Sequence, residues 1–518
     1  MTKYIITACF FISGILIHAQ EDKRPNVILI MCDDLNDYEG VFGGHEQAIT
    51  PNIDRLANNG VKFINAQTNA PVCQPSRNSL FTGVYPHTSK DFGWTPLLKQ
   101  PTLKNNKTII RLFKENGYLT LGTGKLTHGK PPKDWQKWGN NHKHNYGPLY
   151  FDGEKPGALP TVPQPYQSIG AIDGSYGRLS EGGITDGKTR KVPGFIYGWD
   201  FKPFRYINDN DRSRLQDEKH AIWASEQIMN MNADGTETPF FMGIGFVRPH
   251  TPLHAPDKYF DMYPLESLKL DDWLKGDEKD TYWSKNFDSE LKGPRYYRTL
   301  LKSYNGNREL AMKKFLQAYL ACITFIDDQV GVILDTLEKS RFKDNTIIVF
   351  TSDHGWQMGE KNYLFKNSPW EESAKVPLII SSPSQKNGRT EDQPVALIDI
   401  FPTLVDYCNL EGNHKLNANG GSLGGYSMKP LIEGNSKWEG PKGALTIVGN
   451  VGANTRLNEQ TFSYRTKRYR YILYPDGNEE LYDHDKDPRE WENIADIKKM
   501  KSIKKKLKKD MYKIINAS

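Results

Sequence analysis

The sequence predicts an α/β fold: a large, mainly parallel sheet flanked by helices, then a smaller C-terminal subdomain with an antiparallel sheet. Short apolar runs rich in β-branched residues recur along the chain, separated by stretches of helical periodicity. That alternation is the pattern of strand–helix–strand crossovers. Near residue 441 it gives way to polar–apolar alternation broken by turn residues, which marks the second unit.

The elements follow in order. Residues 27–31, Val-Ile-Leu-Ile-Met, predict a strand buried on both faces. Thr50-Pro51 opens a helix with Thr as N-cap, apolar at Ile53, Leu56 and Ala57 and ended by Gly60. Residues 108–116 predict a second helix, closed by Gly117, before a strand at 118–121. A strand is expected at 240–247, and a long helix at 315–337 with Phe315, Ala318, Tyr319, Cys322, Phe325 and Ile326 on its apolar side. Further strands are expected at 346–351 and 376–381. Residues 128–204 are rich in Gly, Pro and aromatics with little periodicity, which predicts long functional loops. In the C-terminal part residues 468–474 alternate, Asp476-Gly477 predicts a hairpin turn, and residues 480–483 follow as a strand. Residues 498–509 predict an amphipathic helix with a solvated basic face.

A chain of 518 residues is long enough for one large core and an appendage. The 68 basic and 62 acidic residues leave a net charge of +6, and no basic-aromatic module for nucleic acid stands out. Lys3, the apolar run at 5–17 and His18-Ala19-Gln20 have the form of an export signal at 1–20. Its removal leaves no segment for stable membrane insertion, and the protein is expected to be periplasmic or secreted. The main domain is then 21–440 and the C-terminal subdomain 441–518. Cys32, Cys73, Cys322 and Cys408 are too scattered for a disulfide scaffold. Cys73 differs from the others, because Pro, Ser, Arg and Asn around it describe a loop entering a helix.

Active sites of open α/β sheets form beyond the carboxyl ends of the strands. Asp33-Asp34 follows the first strand, and Asp353-His354 follows the strand at 346–351. If those strands are neighbours, three carboxylates and an imidazole converge. Such a group suits a hard divalent ion, calcium more than magnesium.

Cys73-Gln74-Pro75-Ser76-Arg77 carries the pattern C-x-P-x-R. With both acidic pairs, Gly124-Lys125-Leu126-Thr127-His128, Arg248-Pro249-His250-Thr251-Pro252 and Lys366, the chain resembles the type I sulfatases. Asp353-His354-Gly355-Trp356 is similar to the iduronate-2-sulfatase branch. The resemblance implies an alkaline-phosphatase-like sandwich and maturation of Cys73 to Cα-formylglycine (3-oxoalanine) by a formylglycine-generating enzyme. It implies calcium held by Asp33, Asp34, Asp353, His354 and the modified residue 73. The hydrated aldehyde is a gem-diol: one hydroxyl attacks sulfur and the second later expels sulfate. In the roles implied, Arg77 holds the diol and the carboxylates, and Asp353 takes the nucleophile's proton. Lys125 and Lys366 hold the sulfate oxygens. His250 protonates the leaving oxygen and also contacts substrate, and His128 assists breakdown of the sulfated intermediate.

Arg248 stands where the family pattern has lysine, which leaves its contact to sulfate open, as it does the role of His254. The expected activity is hydrolysis of sulfate esters on a carbohydrate, releasing inorganic sulfate. Algal polymers such as ulvan or carrageenan and animal glycosaminoglycans are the candidates. Two alternatives stand beside it: a phosphomonoester or phosphodiester hydrolase of the same superfamily, and a non-catalytic binder of sulfated glycans.

Overall fold

The structure, a computed structural model, describes residues 24–517 apart from 190–191, 287–290, 386, 436 and 450–455. The leader expected at 1–20 lies outside the described residues. Among the described residues no helix is long and apolar enough to cross a membrane.

Eight strands form the main sheet: β1 (Asn26–Asp33), β2 (Val61–Phe63), β3 (Leu119–Gly124), β4 (Lys137–Gly139), β5 (Phe240–Pro249), β6 (Thr346–Ser352), β7 (Leu378–Ser381) and β8 (Arg389–Glu391). Their spatial order is β8-β2-β7-β6-β1-β5-β3-β4. β1 runs parallel to β5 and β6, β5 to β3, β3 to β4 and β8 to β2. β7 runs against both of its neighbours. The mainly parallel sheet is therefore as expected, with the strand placed at 376–381 shortened and reversed.

The apolar run of β1 has two buried faces. Val27, Leu29 and Met31 pack into one core with Leu80 and Phe81 of helix α2 (Cys73–Thr82) and Ile109 to Phe113 of α3 (Ile109–Glu115). Ile28, Ile30 and Cys32 pack into the other with Ala221 and Ile228 of α4 (Gln216–Ala233) and Phe315, Tyr319 and Cys322 of α5 (Arg308–Glu338). Alternate residues thus bury on opposite faces, which is why no polar position interrupts the run.

Two helix starts differ from expectation. α5 begins at Arg308 rather than 315, because Asn307 caps it by accepting from Leu310 N at 3.1 Å. Helix α1 (Pro51–Ala57) does follow Thr50, but the Thr50 side chain makes no cap. Its hydroxyl accepts from Gly40 N and donates to Asp54 instead. The first-turn amides of Asn52 and Ile53 donate to Asp327 of α5, at 3.0 and 2.7 Å. A remote carboxylate has replaced the local cap.

The aperiodic segment 128–204 folds as short pieces. Leu149–Phe151, Pro156–Gly157, Gly194–Tyr197 and Lys202–Pro203 make a small four-stranded antiparallel sheet. The C-terminal part is a meander of β9 (Gly443–Val448), β10 (Thr461–Thr466), β11 (Tyr469–Leu473) and β12 (Glu479–Asp483), with a helix α6 (Lys501–Asn516). Gly477 turns the expected hairpin at φ +89°, where a side chain would be strained. Leu507, Met511 and Ile515 of α6 pack on Leu445, Phe462, Tyr471 and Leu481. Tyr85, Phe92, Ala396 and Ile398 of the main unit complete that core, so the two parts share it.

A buried ion network reinforces the join. Arg470 of β11 contacts Glu371 of the main unit and lies 2.6 Å from Glu490, while Arg465 lies 3.3 Å from Glu371. Burial pushes Glu371 and Glu490 up, but the arginines outweigh it and hold both below the usual carboxylate range. The stability this gives is fully present above the unfolded carboxylate value of roughly 4.3. It is lost as pH falls through the depressed folded values. Arg470→Met leaves buried Glu490 without its arginine and Glu371 with Arg465 alone, and is expected to cost about 3–5 kcal/mol, read as a lower denaturant midpoint at pH 7. A midpoint equal to wild type contradicts this account of the join.

Candidate active site

Register brings the acidic pairs together. β1 and β6 pair with Cys32 opposite Ser352, so the residues leaving both strands meet at one end of the sheet. Asp33 closes β1, and Asp34 turns the chain at φ +64°. That turn is held by Tyr319 of α5, whose hydroxyl donates to Asp34 O at 2.7 Å and accepts from Asn36 N at 3.1 Å. Ser76 and Thr68 donate to Asp353 O at 2.6 and 2.7 Å. Cys73 is the first residue of α2, and Arg77 lies one turn on along the same face. Lys125 follows β3 through Gly124, at φ +80°, where a Cβ would collide with Gly245 O. His250 follows β5, and Lys366 comes in on the loop after β6.

These side chains form one buried cluster. Cys73 Sγ lies 3.2 Å from Lys366 Nζ, 3.8 Å from Lys125 Nζ and 3.4 Å from His354 Nε2. Lys366 donates to Asp34 Oδ1 at 2.8 Å, and Lys125 pairs with Asp33 Oδ2. Arg77 donates through Nε to Asp353 Oδ2 at 2.8 Å and through Nη1 to the Lys125 carbonyl. His250 Nδ1 donates to Thr251 O at 2.6 Å, which turns Nε2 toward Asp34 Oδ2, 3.7 Å away. His354 Nδ1 likewise donates to Gly355 O at 3.1 Å and leaves the lone pair of Nε2 facing residue 73. His128 stands apart, half-buried, with Nε2 3.5 Å from the Tyr146 hydroxyl.

Burial and neighbouring charge set the protonation states. Burial raises Asp33, but Lys125 chief among its neighbours outweighs it and holds the carboxyl well below the usual range. Burial pushes Asp34 up to about 8 against Lys366, and Asp353 up to about 6 against Arg77. Burial, then the Lys366 and Lys125 ammoniums, hold His250 well below the ordinary imidazole value. Burial, then Lys366, does the same to His354, and burial with Lys125 pushes His128 down to about 3. The Cys73 thiol is pushed up to about 12, by burial and then by Asp33. An unmodified thiol here is protonated at neutral pH and a poor nucleophile.

The cluster fits a cation. Ligand atoms of Asp33, Asp34, Cys73 and His354 all lie within 4.8 Å of one another. Asp34 Oδ2 is buried with no hydrogen-bond donor, and Asp33 Oδ1 receives no aligned one although Arg77 Nη2 is 3.3 Å away. Two carboxylates and a neutral imidazole are donors that a divalent ion accepts. Asp353 lies outside this tight set: its Oδ2 is taken by Arg77, and its Oδ1 accepts the His354 amide at 3.0 Å. Mutual repulsion of the carboxylates does not by itself require the ion, since Arg77, Lys125 and Lys366 already stand among them. A second group, Glu371, His484 and Glu490, has comparable spacing, but Arg465 and Arg470 occupy its carboxylates.

Residues 25–410 match the sulfatase family, and residues 359–517 match the C-terminal family of N-sulphoglucosamine sulphohydrolase. The chain belongs to the sulfatase family. It is a sulfuric ester hydrolase. The sulfatase is 33% identical to a sulfatase of Formosa agariphila over 93% of this chain and 85% of that one. It is 29% identical to mouse iduronate 2-sulfatase, over 73% of this chain and 62% of that one. A protein solved with its substrate D-glucosamine-2-N,6-O-disulfate has a similar fold, at TM-score 0.65 and 20% identity over 96% of this chain and 99% of that one. So has the phosphonate monoester hydrolase of Agrobacterium radiobacter, at TM-score 0.68 and 22% identity over 95% of both. The fold alone therefore does not separate sulfuryl from phosphoryl chemistry.

Two open positions of the sulfatase acquire definite surroundings. Arg248 is fully buried and turned behind the site, donating to His254 O at 3.1 Å and Gly147 O at 3.2 Å. A forked guanidinium reaches both carbonyls at once, which a lysine ammonium on one stem does less well. His254 faces Ser175 Oγ at 3.0 Å and Gly177 O at 3.3 Å, so it anchors the loop wall. Sequence reasoning missed Tyr146. Its ring lies 4.6 Å from Lys125 Nζ and 5.2 Å from the His250 ring. Nothing but its aromatic character in the segment 128–204 pointed to it.

Proposed function

We propose that this sulfatase hydrolyses sulfate esters on carbohydrates, with calcium bound and with residue 73 matured to formylglycine by a formylglycine-generating enzyme. The observation that carries the reading is the pair of ammonium groups, Lys125 and Lys366, within 4 Å of the side chain at position 73. Two converging cations beside a nucleophile position make a receptor for the tetrahedral anion of a sulfate ester.

Cys73 Sγ stands where the modified residue carries its oxygens, and the hydrated aldehyde supplies a hydroxyl nucleophile in place of the protonated thiol. Asp33, Asp34 and His354, with Asp353 behind them, would hold calcium, which would supply Lewis-acid stabilisation of the ester's charge. Arg77 fixes Asp353 and Asp33 and keeps the base beside residue 73. Lys125 and Lys366 bind and orient the sulfuryl oxygens. His250 presents Nε2 to the leaving oxygen. The anionic ester between Lys366 and Lys125 offsets the two ammoniums that hold this imidazole down, so that it carries the proton it donates. His128 sits one ring further out, beyond Tyr146, and assists breakdown of the sulfated intermediate.

Carbohydrate as the leaving group is supported by the sugar substrates that the similar proteins carry in their names. The export signal at 1–20 suits an enzyme acting on polysaccharides outside the cytoplasm. We place the catalytic domain at 21–440 and the subdomain at 441–518. The test is sulfate release, by ion chromatography, from ulvan, carrageenan and glycosaminoglycan oligosaccharides, using protein co-produced with the maturation enzyme. Release from a sugar sulfate is expected. Preferred cleavage of phosphate or phosphonate esters contradicts the reading, and binding without cleavage makes the protein a glycan binder.

A further inference from the structure

A line of aromatic rings runs from the buried centre to solvent. The His250 ring lies 5.2 Å from Tyr146, and the Tyr146 hydroxyl is 3.5 Å from His128 Nε2. The His128 ring lies 5.0 Å from the indole of Trp94. Trp94 ends the line with 48% of its surface exposed. Its loop is nevertheless pinned: buried Asn78 of α2 donates to Thr95 O at 3.2 Å and to buried Asp91 at 2.8 Å. The helix that carries residue 73 thus also fixes the position of an indole at the rim.

We propose that Trp94 is the platform on which a pyranose ring of the substrate stacks. The inference rests on the sulfatase reading of the same site. A large apolar ring left open to water on an anchored loop is preorganised for a ligand face, because little ordering remains to be done on binding. Its continuity with His250 identifies that ligand as part of the leaving alcohol. An alcohol whose sulfate sits between Lys125 and Lys366 and whose oxygen meets His250 has this wall beside it on the way to solvent. The C–H face of a pyranose matches an indole face, while its hydroxyls stay in water.

The test compares Trp94→Ala and Trp94→Phe with wild type on the sulfated oligosaccharide that wild type cleaves best. Inorganic sulfate, as competitive inhibitor, is the probe for the anion pocket. Trp94→Ala is expected to raise KM about 5- to 50-fold with kcat little changed. Trp94→Phe is expected to recover most of that loss, and the inhibition constant for sulfate to stay within about twofold. An unchanged KM in Trp94→Ala overturns the platform. Parallel loss of sulfate affinity also overturns it, since Trp94 then merely supports His128. Failure of wild type to cleave any sugar sulfate removes the parent reading, and is recognised without the variants.

Discussion

Cys73→Ser and Cys73→Ala are expected to lower kcat/KM for sulfate release by on the order of 10⁴-fold or more, as loss of a covalent nucleophile does. The reason lies in the surroundings of the residue. It opens α2 with its side chain against Lys125, Lys366 and His354, and burial pushes the native thiol up to about 12. A thiolate is therefore disfavoured at position 73, and on the proposed reading the residue acts through the hydrated aldehyde. Serine supplies one hydroxyl but not a second on the same carbon, so a sulfated serine cannot release sulfate by re-forming an aldehyde. The variant keeps the fold, since Ser is smaller than Cys and leaves the Arg77 pairs intact. Thermal unfolding like that of wild type, together with lost turnover, is the expected pair of results.

Chelation of divalent ions is expected to abolish turnover, and calcium to restore it. Calcium is also expected to raise the unfolding temperature of the metal-stripped protein, because an ion bound to the native state alone stabilises it by mass action. Asp34→Asn should remove most of that shift and lower kcat/KM about 10²- to 10³-fold. The variant deletes the charge of a buried carboxylate whose Oδ2 has no hydrogen-bond donor, while its amide oxygen still accepts from Lys366 in place of Oδ1. An unfolding temperature insensitive to calcium in wild type contradicts the metal assignment even where activity survives.

The catalytic end of the sheet was legible because parallel strands buried on both faces appear as uninterrupted apolar runs. The residues just past β1 and β6 are then set by topology. Cys73, Arg77, Lys125 and His250 were legible through short motifs whose spacing survives without knowledge of the fold. The rest depends on contacts remote in sequence. Asp327 caps the helix at Pro51–Ala57 from α5, a pairing across 275 residues that no local cap pattern encodes. Arg248 was read against a lysine at the sulfate, yet its guanidinium turns away to Gly147 O and His254 O. Tyr146 sits in an aperiodic segment and reaches the site only because the fold sets it against Lys125, just past β3, and His250, just past β5. The balance of three carboxylates against Arg77, Lys125 and Lys366 was likewise hidden, because it arises only when five segments meet.

The most direct measurement follows sulfate release against the fraction of residue 73 converted to formylglycine. Preparations made with graded amounts of the maturation enzyme would be scored by peptide mass spectrometry. The account predicts turnover proportional to that fraction, with an intercept at zero. Turnover that is independent of conversion, or absent at full conversion on every sulfated sugar, contradicts it.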